Sequence, residues 1–267
     1  MAQASAGAGS VSQGAGLSNE FKLTFNIESL RMIAYAALMA MVGVGIIVTK
    51  LFVTVDEHDT AIFKLFGFNH ICNVFDHQPS RTISGLLVLT FIVPMVSFVV
   101  CSYYRTYDAV KEGRLPAWVH SYSKIITPFS FLAVCYTYMW FVNPPEVGPP
   151  IVFLAHYLPY WALQIALGLL AIHEVAYLAY SGVLPFGVSV AVAKGYLAVL
   201  VVTTLVCHAA VFTLLAGFPI LDGVNNPTQG KIFEGLMFFY AFLAIAMPFF
   251  LAARNRKNGL ISTITFS

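Results

Sequence analysis

The sequence predicts an all-α polytopic membrane protein, a bundle of six transmembrane helices with both termini in the cytosol. Of the 267 residues, 59% are hydrophobic and only 10% are charged, whereas soluble domains carry about 25% charged residues. The mean hydropathy is +0.80. Six apolar runs are each long enough to cross a hydrocarbon core of about 30 Å as a helix. These observations exclude a water-soluble globule.

Each apolar run is continuous rather than alternating, which favours helices over the strands of a barrel. The fourth run is the longest, and Pro159 within it removes a backbone donor, so we predict a bend there. In chain order, the six predicted spans cover residues 32–55, 83–104, 125–142, 151–180, 190–217 and 232–253.

The same pattern divides the chain into three regions. Residues 1–30 are expected to form a flexible polar tail, because residues 2–18 are mostly Ala, Gly, Ser and Gln and carry no charge. Residues 31–254 are predicted to form one transmembrane domain with a long exoplasmic loop at residues 56–82. Residues 255–267 are predicted to form a short basic tail.

The basic residues are distributed unequally between the two sides of the predicted bundle. Ten of the 14 Lys and Arg residues fall on the side that holds both termini, and four fall on the other. Cytosolic segments carry the excess of Lys and Arg in membrane proteins, so we expect both termini in the cytosol. The net charge of only +2 provides no basic surface for nucleic acid, and no nucleic-acid partner is predicted.

The exoplasmic loop 56–82 mixes acidic and histidine residues with large apolar residues such as Phe66, Phe68 and Phe75. Apolar residues of this size predict that the loop packs on the membrane surface or caps the bundle. A cap over the exoplasmic helix ends would bring Asp76 and His77 towards His156.

Ionisable side chains within spans are costly, so each is a candidate functional residue. His156, His208 and Glu234 lie near the exoplasmic ends of their spans, and with Asp76 and His77 they form a candidate polar cluster. Such a cluster could bind a metal ion or a lipid headgroup, or it could hydrogen-bond the helices to one another. The sequence contains no established metal-binding motif, and we predict neither a metal site nor a cofactor.

A second set of polar residues, His173, Glu174 and Lys194, lies towards the cytosolic end. Adjacent residues on a helix point about 100° apart, so His173 and Glu174 each require another partner. Lys194 is close enough to the interface for its side chain to reach the headgroup region, which makes a retinal-binding lysine improbable.

Several polar landmarks occur in a fixed order along the chain. Residues 75–79 (Phe-Asp-His-Gln-Pro) precede the second span, which ends in residues 104–107 (Tyr-Arg-Thr-Tyr). Ala155-His156 lies near the start of the fourth span, and Phe233-Glu234 lies at the start of the sixth. This layout, from the first span to Arg256, resembles the six-pass family that includes the DRAM autophagy modulators, the FRAG and Sfk proteins and the factor that remodels GPI anchors.

The resemblance implies a protein of the Golgi, endoplasmic reticulum or lysosome that influences lipid handling, such as GPI-anchor remodelling, or membrane trafficking and autophagy. It also implies that Asp76, His156 and Glu234 form a polar cluster at the luminal ends of the helices. The loop of this chain lacks the family's fuller P-Y-I-S-[DE]-T-G motif. The assignment of Asp76, His156 and Glu234 to the family's polar cluster is therefore based on short sequence matches.

Three functional hypotheses follow. The leading hypothesis is a non-enzymatic, lipid-associated protein whose partners are membrane lipids. Small residues such as Gly43 and Gly168 leave open an association with other membrane proteins or with a second copy of the chain. The second is a small solute or ion transporter or channel, which would need a polar path at mid-depth. The third is an intramembrane metal-dependent lipid hydrolase or acyltransferase that uses His156, His208 and Glu234.

Overall fold

Six helices in the described part of the chain are long and apolar enough to cross a membrane, which confirms the predicted class of fold. This computed structural model describes residues 23–143, 150–180, 190–257 and 263–266, so the uncharged residues 2–18 lie outside the described residues. The elements are β1 (Leu23–Asn26), α1 (Ile27–Phe52), α2 (Ala61–Phe66), α3 (Ser80–Lys111), α4 (Ala117–Tyr136), α5 (Met139–Val142), α6 (Pro150–Tyr180), α7 (Val190–Leu215), α8 (Pro227–Ala241), α9 (Met247–Lys257) and β2 (Thr263–Phe266).

The spans are α1, α3, α4 with α5, α6, α7, and α8 with α9. Several of these helices extend beyond the predicted apolar runs. The third span, for example, begins at residue 117 rather than 125. Polar residues near a helix end lower the local hydropathy without interrupting the backbone hydrogen bonds, so the helix continues past the apolar run. As a result Arg31 and Arg105, which were expected in loops, lie within α1 and α3.

The two ends of the described chain meet in a small antiparallel sheet, in which Leu23 of β1 lies opposite Phe266 of β2. We name this end of the bundle the terminal end and the opposite end the loop end. The predicted tails are therefore wrong for residues 23–30, which form β1 and the start of α1, and for residues 255–257 and 263–266. The side chain of Asn26 fixes the start of α1 by accepting the Ser29 N–H at 2.9 Å.

The segment between α1 and α3 folds over the loop end as a cap, which is one of the two arrangements that its apolar residues predicted. Phe66, Phe68 and Phe75 are all buried. The ring of Phe66 lies 5.9 Å from the rings of both Tyr157 on α6 and Phe233 on α8. Aromatic contacts at this separation add to the apolar burial that holds the cap on the bundle.

Three glycines join this cap to the sixth span, and we refer to them as the glycine contact. Gly67 ends α2 with a φ of +71°, a conformation that favours glycine. A Cβ atom on Gly223 would lie 2.2 Å from the carbonyl oxygen of Phe66, and one on Gly230 would lie 2.6 Å from the carbonyl oxygen of Gly67. Backbone atoms block any side chain at these positions, so close approach of the cap to α8 depends on glycine.

The sixth span contains one π-helical turn, Phe242–Ala246, between α8 and α9. Pro248 has no N–H, so the carbonyl of Leu243, five residues earlier, loses its donor in this turn. The hydroxyl of Tyr196 on α7 donates to that carbonyl at 2.8 Å. The hydrogen bond therefore satisfies a backbone group that the proline would otherwise leave unpaired inside the membrane.

We expect Tyr196→Phe to lower the free energy of unfolding by about 1 kcal/mol, because it leaves the Leu243 carbonyl without a donor. Thermal unfolding in detergent measures this change. Tyr136→Phe is the matched control, since Tyr136 is exposed on α4. Equal melting temperatures for Tyr196→Phe and the parent protein would show that the π turn does not need this donor.

Candidate functional sites at the two ends of the bundle

Asp76 and His156 lie close together at the loop end. A loop that caps the bundle was expected to bring Asp76 towards His156. Oδ1 of Asp76 lies 3.5 Å from Nε2 of His156. The indole N–H of Trp140 donates to the same Nε2 at 3.0 Å, so Nε2 is an acceptor and carries no proton. The proton of the neutral imidazole then sits on Nδ1, which donates to the carbonyl of Asn143.

This arrangement disfavours a negative charge on Asp76. An ionised carboxylate would face the lone pair of His156 Nε2, and Oδ1 of Asp76 has no hydrogen-bond partner among the described residues. Burial raises the pKa of Asp76 to about 7, and the nearby Arg81 opposes that rise. Asp76 is therefore a carboxyl group that exchanges its proton near neutral pH.

We expect Asp76→Asn to become more stable relative to the parent protein as the pH rises. An unfolded Asp has a pKa of about 3.9, so between that pH and about 7 only the folded state holds the proton. The Asp76 carboxyl therefore contributes its full stabilisation at pH values below its pKa in the unfolded state. This stabilisation is lost as the pH rises through the pKa of the folded state.

The melting temperatures of Asp76→Asn and of the parent protein between pH 5 and 8 measure this difference in stability. Contributions from the histidines that both proteins contain cancel in the comparison. Asp108→Asn, at an exposed site on α3, is the control and should follow the parent at every pH. A difference between Asp76→Asn and the parent that does not change with pH would contradict the raised pKa.

Within the described residues, no hydrogen bond or ion pair joins the other predicted residues of the loop-end cluster to this pair. His208 on α7 contacts the carbonyl of Thr204 through Nδ1 at 2.7 Å, and its ring meets Tyr240 edge-on. Nε2 of His77 has no hydrogen-bond partner within the described residues. Over the same residues, no group of three His, Cys, Asp or Glu side chains is arranged to hold a metal ion.

Glu234 instead lines a groove between the cap and α8, which we name the loop-end groove. Its volume is about 820 Å³. Charged and aromatic side chains both line it, including Phe63, Lys64, Phe68, Lys231, Glu234 and Phe238. A groove with charged groups and aromatic rings together suits an amphiphilic ligand.

His70, which lines this groove, forms a compact cluster with Cys72 and Tyr160. Sγ of Cys72 lies 2.6 Å from Nδ1 of His70, and the Tyr160 hydroxyl lies 3.2 Å from Nε2 of the same ring. Burial lowers the pKa of His70 to about 4 and raises the pKa of the Cys72 thiol. Both groups are therefore neutral at physiological pH, and a buried thiol of this kind is a poor nucleophile.

The terminal end contains a buried cluster of four charges, which we name the ion cluster. Glu174 on α6 accepts from Arg105 on α3 at 2.6 Å and from Arg31 on α1 at 3.3 Å. Glu28 pairs with Arg31 one turn away and lies 3.7 Å from Arg105. All four side chains are buried. Two acids and two bases balance in charge, which makes their burial tolerable inside a membrane protein.

Polar neighbours complete the ion cluster. Ser102 donates its hydroxyl to Glu174 at 2.5 Å, and the Arg105 guanidinium lies 3.8 Å above the ring of Tyr177. His173 lies 3.1 Å from the Thr106 hydroxyl through Nε2, and its Nδ1 lies 3.4 Å from Oε1 of Glu174. The two adjacent residues therefore contact each other in addition to separate partners, which their spacing on the helix did not predict. Lys194 is exposed on α7, and its position near the membrane interface stays a prediction.

Sequence reasoning missed three members of the ion cluster, namely Glu28, Arg31 and Arg105. Arg31 and Arg105 were counted as interfacial charges because they lie at the edges of apolar runs. The available signal was the spacing of Glu28 and Arg31, which places opposite charges on one helix face. An acidic residue at a similar depth in another span, Glu174, was the second signal.

Six apolar spans, a folded cap and a buried ion cluster define a polytopic α-helical membrane protein. No protein-family model, no curated protein and no solved structure matches this chain. The resemblance to the six-pass family of GPI-anchor remodelling and autophagy proteins therefore stays a prediction from the sequence.

Proposed function

We propose that this chain is a non-enzymatic, lipid-associated membrane protein that acts in lipid handling or trafficking in an internal membrane. The loop-end groove is the observation that carries the proposal. In this proposal the termini face the cytosol, in keeping with the ten-to-four distribution of basic residues, and the groove faces the lumen.

The position of the groove supports lipid as its ligand. Lys231, Glu234 and Phe238 lie at positions i, i+3 and i+7 of α8, so they share one helix face. Phe238 lies about 10 Å further into the span than Lys231, and it is 47% exposed. The groove thus connects charged residues at the loop end with an apolar surface at membrane depth.

The chemistry at the loop end supports binding rather than catalysis. The Cys72 thiol is buried, and burial raises its pKa. His156 is held by Trp140 and Asn143, so both ring nitrogens are already engaged. The organelle and the kind of lipid process, GPI-anchor remodelling or autophagy, are proposed from the family resemblance.

A phospholipid with a photoreactive diazirine in its acyl chain tests the proposal in nanodiscs. We expect adducts concentrated in residues 58–70 and 224–238, and we expect Val224→Trp to reduce them because Val224 lines the groove. Val202→Trp, at an equally exposed position on α7, should leave them unchanged. Adducts spread over all exposed apolar surfaces, with no effect of Val224→Trp, would overturn the proposal.

A further inference from the structure

The loop-end groove presents its charges in an order that selects a particular kind of lipid. We propose that it binds a phosphorylated long-chain amine, an amphiphile with a terminal phosphate and an ammonium group between that phosphate and the alkyl chain. Sphingoid-base phosphates belong to this class. This inference rests on the proposed function and specifies the ligand of the same groove.

Among the lysine and acidic side chains that line the groove, one cation and one anion are available for a ligand. Lys64 is paired with Asp59 at 2.5 Å, so its charge is already compensated. Lys231 and Glu234 take part in none of the ion pairs formed within the described residues. His70 is neutral because burial lowers its pKa to about 4. The uncompensated charges therefore match a zwitterion.

The order of these charges along α8 distinguishes one zwitterion from another. The helix enters the bundle at Pro227, so Lys231 is outermost, Glu234 lies about one turn deeper and Phe238 about one further turn deeper. A phosphate at Lys231, an ammonium group at Glu234 and an alkyl chain along Phe238 follow this order. In phosphatidylethanolamine the ammonium group lies beyond the phosphate, which is the reverse order.

The aromatic residues of the groove favour the same assignment. Phe63 and Phe68 belong to the cap and line the same groove as Lys231 and Glu234 of α8. An ammonium group between a carboxylate and aromatic rings gains a charge-assisted hydrogen bond and a cation–π contact. The glycine contact holds the cap against α8 and so fixes the spacing of the two walls.

Binding of matched single-chain lipids to the full-length protein in nanodiscs tests the inference. The probes are sphingosine 1-phosphate, lysophosphatidic acid, which lacks the amine, and lysophosphatidylethanolamine, which reverses the charge order. We expect sphingosine 1-phosphate to bind at least about tenfold more tightly than either of the others, which is the effect of one charge-assisted contact.

Two charge-removing variants assign the contacts. Glu234→Gln should bind sphingosine 1-phosphate and lysophosphatidic acid equally, because the ammonium partner is lost. Lys231→Gln should weaken both phosphate lipids by a similar factor and keep the preference for the amine. Lys50→Gln, at an exposed site near the end of α1 and outside the groove, is the control and should bind like the parent.

The outcomes separate this inference from the proposed function. Equal affinity of the parent protein for the three probes, or a preference that survives Glu234→Gln, would overturn the inference. If photoreactive phospholipid still labels the groove in that case, lipid association stands and only the ligand class is wrong. If neither the probes nor the photoreactive lipid occupies the groove, both proposals fall.

Discussion

Glu174→Gln should lower the free energy of unfolding by about 3–5 kcal/mol, the usual cost of removing one partner from a buried ion pair. Glu174 contacts both Arg31 and Arg105, at 3.3 Å and 2.6 Å. Glutamine keeps the shape of the side chain and removes its charge. The ion cluster then carries one excess positive charge that has no access to water. Thermal or denaturant unfolding in detergent measures the loss.

Glu112→Gln provides the matched control, because Glu112 pairs with Arg114 at 2.6 Å with both side chains at least half exposed. Exposed pairs of this kind contribute about 0–1 kcal/mol. The double variant Glu174→Gln/Arg105→Gln restores charge balance and should be less destabilised than the sum of its single changes. Additive losses would contradict an ion cluster that acts as one unit.

Gly223→Ala should separate the cap from α8 and lower the free energy of unfolding by about 1–3 kcal/mol, the typical cost of overpacking. The new methyl group would lie 2.2 Å from the Phe66 carbonyl oxygen and 2.8 Å from Cα of Gly230. Both of these are backbone atoms, so the cap and α8 must move away from residue 223 to make room for the methyl group. Thermal unfolding measures the loss, and the photoreactive phospholipid should label the groove less.

Gly235→Ala on α8 is the control for this substitution, because a Cβ atom at Gly235 would meet no neighbouring segment within 4 Å. Replacement of an open helical glycine by alanine is expected to be neutral or to stabilise by up to about 1 kcal/mol. If Gly223→Ala were as stable as Gly235→Ala, the close approach of the cap to α8 would not be required for folding.

The sequence was sufficient to predict the six spans, and it predicted a cap over the bundle as one of two arrangements of the loop. Continuous apolar runs identify transmembrane helices because the bilayer requires a fixed length of apolar chain. The burial of Phe66 and Phe75 followed from the cost of exposing large apolar side chains in a loop, and the contact between Asp76 and His156 followed from the cap. These features depend on local composition, which a single sequence records.

The ion cluster and the groove could not be predicted in the same way. Arg31, Arg105 and Glu174 lie on three helices, and their meeting depends on the rotation of each helix about its axis. The apolar runs leave that rotation undetermined, since lipid and protein interior are equally apolar. Likewise, nothing in the local sequence relates Gly223 to Gly67, because their contact depends on the fold of two separate loops.

The loop-end groove can be examined directly for the lipid that we propose it holds. The most direct measurement is an experimental structure of the full-length protein in nanodiscs that contain sphingosine 1-phosphate. We expect density in the groove for a lipid whose phosphate lies next to Lys231, whose amine lies next to Glu234 and whose chain lies along Phe238. A groove without lipid density, with Lys231 and Glu234 paired to other protein side chains, would contradict it.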